Sequence, residues 1–277
     1  MQPWRMEQKL RLAVIQLRTE LEQAETMDKA ARMIREAAQN GAGIVVLPEM
    51  FNCPYADAWF RRYAETGEAA VKAMSGWARD NGVLLVGGSI VELADGKLYN
   101  SCFVFDESGK QLARHRKVHL FDVDLPGMRF LESATFAPGE EITTFETRWG
   151  TMGAAICFDL RFPELFRAMA KRSAKIIFLP AQFNQKTGPA HWELSLRARA
   201  VDNELFVVGA SAAKYEGFSY ESWGHSMVVD PFGQVLASCG DEETILYADI
   251  DLRRIDEVRR QLPTFLRLRE ELYEVAK

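Results

Sequence analysis

The chain of 277 residues has only four cysteines, four histidines and ten prolines, and each scarcity narrows what it can be. Cys53, Cys102, Cys157 and Cys239 form no CxxC pair and fit no zinc spacing, and His115, His119, His191 and His225 contain no HExxH. A zinc module, a zincin protease and a disulfide scaffold therefore have no support. No stretch approaches the ~20 apolar residues that span a bilayer. The apolar run Leu12 to Leu17 is too short and too interrupted for a signal-peptide core. Basic clustering is also sparse. Net charge is −5, the sequence pI is near 5.6, and the one basic group, Arg114-His-Arg-Lys117, is short and interrupted. Repeats, linkers and low-complexity segments are lacking. These absences predict one domain over 1–277, with a core at about 10–250 and a tail at 251–277. They also predict a cytoplasmic protein with reduced thiols, and neither a nucleic-acid nor a membrane partner.

What is present is a globular composition, 48% hydrophobic and 26% charged, enough for a large core. Leu10 to Leu17, Ile44 to Leu47, Val83 to Val86 and Leu98 to Phe105 read as buried strands, with Gln111 to Lys117 a hairpin partner of the last. Met27, Ala30, Ala31, Ile34, Ala37 and Ala38 recur at helical spacing until Asn40-Gly41, and Glu68 to Arg79 reads as a second helix. Strand-like Ile142 to Glu146, strand Gly150 to Ile156, a helix from about Arg161 to Lys171 and strand Lys175 to Leu179 follow. A helix at His191 to Asn203 precedes strands at Leu205 to Ala210, Trp223 to Val229, Gln234 to Ser238 and Thr244 to Ile250. This alternation predicts an α/β fold with sheet inside and helices outside. Leu120 to Pro138 shows no period and reads as a long functional loop. The amphipathic tail, with Leu262, Phe265, Leu266 and Leu272, fits equally a subunit contact and a helix covering its own domain.

Three reactive residues stand next to predicted strands. Glu49 ends Gly43-Ile-Val-Val-Leu-Pro-Glu49, Lys117 ends the hairpin strand, and Cys157 follows Gly153-Ala-Ala-Ile and precedes Phe158-Asp-Leu-Arg-Phe-Pro-Glu164. Each has a bland reading: a salt-bridged strand terminus, a surface hairpin lysine, a buried structural thiol. Together they suffice for covalent acyl chemistry. A thiol attacks, a carboxylate moves protons and an ammonium holds an oxyanion. The strand end is where ligands gather, and a nearby helix start and a cation both favour a reactive thiolate at Cys157.

The three segments together resemble the signature segments of the nitrilase (carbon–nitrogen hydrolase) superfamily. The resemblance implies a four-layer α-β-β-α sandwich, catalysis by Glu49, Lys117 and Cys157, and no metal or organic cofactor. It places a second glutamate, supporting the lysine and the substrate, at Glu132 in Phe130-Leu-Glu-Ser-Ala-Thr-Phe-Ala-Pro-Gly139; the bland alternative is an exposed loop carboxylate. The backbone N–H of Phe158 is the second oxyanion donor. His119-Leu-Phe-Asp-Val-Asp-Leu-Pro-Gly127, Phe183-Asn-Gln-Lys-Thr-Gly-Pro-Ala-His-Trp-Glu193 and Trp223-Gly-His-Ser-Met-Val-Val229 look closest to the ω-amidase branch. That branch cleaves the terminal amide of 2-oxo dicarboxylic acid monoamides such as 2-oxoglutaramate and 2-oxosuccinamate. Arg161 matches an arginine that holds the substrate carboxylate, a bidentate pairing; its bland reading is an ion pair with Glu164 or Asp159. Tyr55 and Thr187 are further pocket candidates, and Cys53 stands where many relatives have serine, a possible second thiol near the pocket. The resemblance also implies a homodimer or larger homo-oligomer. Two other readings stay open: an amidase or N-carbamoyl amidohydrolase of carbamoyl or deaminated-peptide substrates, and a non-catalytic small-molecule-binding member.

Overall fold

Along the strand Lys9–Gln16, Leu10, Leu12 and Val14 join one hydrophobic core and Ala13 and Ile15 another. The same division recurs at Ile44 and Val46 against Val45 and Leu47, and at Cys102 and Val104 against Phe103 and Phe105. Side chains alternate across a strand, so a continuous apolar run is a strand buried on both faces. The computed structural model describes residues 7–215, 220–269 and 272. Its first sheet has the spatial order Thr244–Asp251, Lys9–Gln16, Ile44–Val46, Leu84–Val86, Lys97–Phe105, Ile90–Ala94, with Gln111–Arg116 on the other edge of Lys97–Phe105. The second runs Val235–Ser238, Met227–Val229, Phe206–Ser211, Ile176–Ala181, Gly150–Ala154, Thr144–Thr147. Within each sheet three central strands are parallel and the flanking pairs antiparallel.

The two sheets share the larger core, where Leu12, Val46 and Val104 meet Met152, Ile176 and Val208. The helices Gln23–Gln39 and Gly67–Asn81 cover the outer face of the first sheet through Ala30, Ile34, Met74 and Ala78. Pro163–Lys171 and Gly188–Asn203 cover the second, where Met169 packs over Gly153, and Trp192 and Leu196 over Gly209. This is the four-layer α-β-β-α sandwich expected from the sequence.

Several local expectations need correction. The stretch from Leu120 to Pro138 holds a two-stranded hairpin, Asp122–Leu125 with Met128–Leu131, and then a turn at Glu132–Ala134. Pro126-Gly127 makes its bend, so the aperiodic composition hid two short strands. The helix Asp57–Tyr63 and the strand Ile90–Ala94 were too short to stand out by period. The strand before Cys157 ends at Ala154, and the α-helix begins at Pro163 rather than at Arg161. A 3-10 turn, Cys157–Arg161, lies between, because proline suits the first position of a helix. Of Trp223 to Val229 only Met227–Val229 is strand. In the tail, Ile255, Val258 and Phe265 pack on this chain's own core, whereas Leu262, Leu266 and Leu272 are exposed. The remaining tail positions, 270, 271 and 273–277, lie outside the described residues. Among the described residues no helix is long and apolar enough to cross a membrane.

Candidate active site

The three signature residues sit just beyond strand ends, each held by a close backbone fit. Glu49 lies three residues past Ile44–Val46. Its turn packs on Gly88 (φ +62°), where a Cβ would come within 2.1 Å of the Pro48 carbonyl oxygen. The Ser89 hydroxyl accepts from Met50 N at 3.0 Å. Lys117 follows Gln111–Arg116; its N–H donates to the Asn100 carbonyl at 2.8 Å and its carbonyl accepts from Gly139 N at 2.8 Å. A Cβ on Gly139 would lie 2.2 Å from the Arg116 carbonyl oxygen. Cys157 opens the 3-10 turn with φ +45°, a left-handed conformation that a residue with a side chain rarely adopts. Such strain persists only where neighbours enforce it. Here the Asp159 carboxylate does so by accepting from Ile156 N at 2.9 Å.

These turns converge. Lys117 Nζ is 2.9 Å from Glu49 Oε1 and 2.8 Å from Glu132 Oε2, and all three side chains are fully buried. Glu132 is therefore not an exposed loop carboxylate, and Lys117 is not a surface residue. Glu132 is fixed further by Phe121 N at 2.6 Å, Glu49 by Gln182 N at 2.9 Å. Burial raises the Glu49 pKa, and the nearby Glu132 charge adds to this; Lys117 offsets only part. Burial also works against the Lys117 charge, but the two carboxylates outweigh it and hold the ammonium well above its ordinary value. The Cys157 thiol faces Glu49. Burial, reinforced by the Glu49 charge, pushes its pKa well up despite Lys117. These effects act against the thiolate that a helix start and a cation would favour. The helix start lies beyond an intervening turn, and one ammonium shared between two carboxylates supplies too little net positive charge.

The thiol opens onto a narrow cleft walled by the rings of Phe121, Phe158, Phe183 and Tyr220, with Arg161, Gln182 and Thr187 supplying polar groups. Between these walls there is room for about one water molecule, about 10 Å³. Arg161 is half-buried over the Phe183 and Phe158 rings, and its Nη1 lies 2.9 Å from His191 Nδ1. It pairs with neither Glu164 nor Asp159. Asp159 binds His115 and His119 instead, and among the described residues no carboxylate pairs with Arg161. Tyr55 lies behind this wall: its hydroxyl is 3.4 Å from Glu49 Oε1 and its ring centroid 4.6 Å from that of Tyr220. Cys53 is buried with Met50, Phe60 and Tyr63 and does not line the cleft. Among the described residues no three His, Cys, Asp or Glu side chains converge as a metal site requires.

The carbon-nitrogen hydrolase family profile matches residues 11–260. The chain belongs to that family. It is 49% identical to the Mus musculus protein named Omega-amidase NIT2 over 268 residues, 96% of this chain and 97% of the mouse protein. Among solved structures it resembles Saccharomyces cerevisiae Nit3, described as a member of branch 10 of the nitrilase superfamily, with a TM-score of 0.88 at 38% identity, covering 96% and 97% of the two chains. A mutant amidase from Nesterenkonia sp. AN1, in which the acetamide moiety of fluoroacetamide is covalently added at the active-site cysteine, superposes with a TM-score of 0.80 at 27% identity over 97% of each chain.

Sequence reasoning missed Asn100, Gln182 and Tyr220. In this carbon–nitrogen hydrolase the Gln182 main chain touches both Glu49 and the thiol, since its carbonyl accepts from Cys157 Sγ at 3.8 Å, and from the Tyr220 hydroxyl. Its side chain donates to the Glu49 carbonyl at 2.8 Å. Gln182 directly follows the central strand Ile176–Ala181, where ligand sites gather in open α/β sheets. Asn100 was detectable as a polar residue inside the buried strand Lys97–Phe105.

Proposed function

We propose that this carbon–nitrogen hydrolase is an ω-amidase, releasing ammonia from the terminal amide of a 2-oxo dicarboxylic acid monoamide such as 2-oxoglutaramate or 2-oxosuccinamate. The observation that carries the reading is Arg161, a half-buried cation without a carboxylate partner among the described residues, lining the same cleft as the Cys157 thiol. A substrate with a carboxylate at the far end from the scissile amide supplies the missing partner. Thr187 lines that cleft as a further polar contact, and Tyr55 supports its wall from behind Tyr220. The likeness to the mouse omega-amidase supports the same substrate class.

The mechanism follows from the contacts of Cys157, Glu49 and Lys117. Cys157 Sγ attacks the amide carbon while Glu49 takes the thiol proton; a carboxylate whose pKa burial has raised is suited to that task. Lys117 and the backbone N–H of Phe158 hold the oxyanion, and Glu132 keeps the ammonium in place. Glu49 returns the proton to departing ammonia, leaving a thioester on Cys157. The covalent adduct on the Nesterenkonia active-site cysteine supports a nucleophilic thiol in this fold. Water then attacks the thioester, gives a proton to Glu49, and releases the acid as the thiol re-forms. No metal or organic cofactor enters these steps. The shared core of the two sheets supports a single catalytic unit, and the four free thiols support a reducing, cytoplasmic setting. Exposed Leu194 and Val201 on the outer helix, with Phe232 and Leu236 nearby in the fold, support a homodimer or larger homo-oligomer.

Ammonia release from 2-oxoglutaramate, with Cys157→Ala as control, tests the reading. Release by the wild type and none by a folded Cys157→Ala variant is the expected result. Faster turnover of N-carbamoyl or deaminated-peptide amides would assign the protein to another branch of the family. No turnover of any amide, with a thiol inert to iodoacetamide, would leave a binding protein.

A further inference from the structure

Asn100 stands in the middle of the strand Lys97–Phe105 with its side chain fully inside the charged cluster. Its Nδ2 lies 2.8 Å from Glu49 Oε1 and 3.1 Å from Glu132 Oε1. The amide orientation is fixed by chemistry, since an oxygen in that place would face two carboxylate oxygens. Its main chain is engaged too, because the Asn100 carbonyl accepts from Lys117 N. One residue thus touches all three charged members of the cluster. Against this stands a cost. Asn100 Oδ1 is buried with no hydrogen-bond partner among the described residues. An apolar residue, the type that surrounds it at Cys102 and Val104, would fill the strand without that penalty.

We propose that Asn100 is a positioning residue that sets the proton affinity of Glu49: its single amide group binds both carboxylates and holds them on one ammonium. The inference rests on the reading of Glu49 as the proton carrier. Two carboxylates and one lysine leave a net negative charge in a dry site. The groups facing Glu49 are Lys117, Glu132, Cys157 and the hydroxyls of Tyr55 and Tyr220. Lys117, with the hydrogen bonds from Cys157, the Tyr55 hydroxyl and Gln182 N, opposes the proton uptake that burial and Glu132 favour. The two N–H groups of Asn100 are the additional donors that favour the charged form. Without them the carboxylates repel with less compensation, and Glu49 binds its proton more tightly.

The test is the pH dependence of kcat/KM for ammonia release in Asn100→Ala. Loss of a hydrogen bond to a charged group raises a carboxylate pKa by about one unit, a tenfold gain in proton affinity. The acid limb, which reports the Glu49–Cys157 pair in the free enzyme, should therefore move to higher pH by about one unit, with activity recovering toward the alkaline side. Asn100→Asp, nearly isosteric, should move the limb in the same direction by adding a third carboxylate. A uniform loss of rate at every pH, with the limb unmoved, would mark Asn100 as structural and overturn the proposal. So would failure of both variants to fold. Glu49→Gln is measured beside them. If it keeps near-normal activity, the proton-carrier reading fails; if it is inactive while the limb of the Asn100 variants stays put, only the present inference fails.

Discussion

Glu49 and Asp159 are both fully buried carboxylates beside Cys157, and their surroundings push them in opposite directions. Asp159 accepts four hydrogen bonds: from Ile156 N, His119 N, His115 Nε2 and His119 Nδ1, all at 2.8–3.0 Å. Burial opposes its charge, but the bonds from His115 and His119 outweigh this and hold its pKa well below the ordinary carboxylate range. Glu49 shares one lysine with a second carboxylate, and burial wins. The fixed anion links the turn bearing Cys157 to the segment bearing Lys117, since His115 and His119 flank that lysine. The tunable one is left able to take a proton. Burial alone therefore does not decide a carboxylate's role; the balance of charges and hydrogen bonds around it does, and at Glu49 the Glu132 charge weighs against ionisation.

Glu49→Gln should have the largest effect. It removes the proton carrier and should lower kcat by at least about 10²–10⁴-fold while leaving the melting temperature nearly unchanged. A variant within a few-fold of wild type by steady-state ammonia release would place proton transfer on another group.

Asp159→Asn should do the converse, chiefly costing stability, by about 1.5–3 kcal/mol for a lost charge-assisted hydrogen bond. A depressed native pKa contributes stability that is present above the unfolded value of about 4 and is lost as pH falls below it. Urea melts at pH 7 and at pH 3 should show the gap between wild type and variant shrinking at the lower pH. An equal gap at both would mean that the ionised carboxylate is not its source.

The smallest effect belongs to a thiol that does not line the cleft. Cys53 is fully buried in an apolar cluster, and burial alone raises its pKa. Cys53→Ala should cost about 1 kcal/mol, near the value of one buried methylene-sized group. Turnover and inactivation by iodoacetamide should be unaffected. Loss of inactivation in that variant would show that Cys53, not Cys157, is the reactive thiol.

How much of this was legible in the sequence varies with the range of the cause. Leu10 to Leu17 and Ile44 to Leu47 announced themselves as doubly buried strands, because alternation across a strand is a local property. Glu49 and Cys157 stood out because each follows an apolar run, and Lys117 because it ends a basic hairpin strand. The hairpin at Asp122–Leu125 and Met128–Leu131 did not, because four-residue strands in a loop of mixed composition have no measurable period. Asn100 and Gln182 were missed for another reason: neither is chemically reactive, and each matters only through what it touches.

The sequence by itself determined the longer strands and helices, the α/β alternation, the resemblance to a family and through it the expected sandwich, and the residue types available for acyl chemistry. All of these reside in short patterns. Only the tertiary structure decided that Gln182 meets Glu49 across 133 residues of chain, that Lys117 is shared by two carboxylates, and that burial and Glu49 act against a thiolate at Cys157. Those outcomes depend on how the two sheets close on each other and on how far water is excluded between them. A pKa is the balance of desolvation against partners brought from distant segments, and neither exists until the chain has folded.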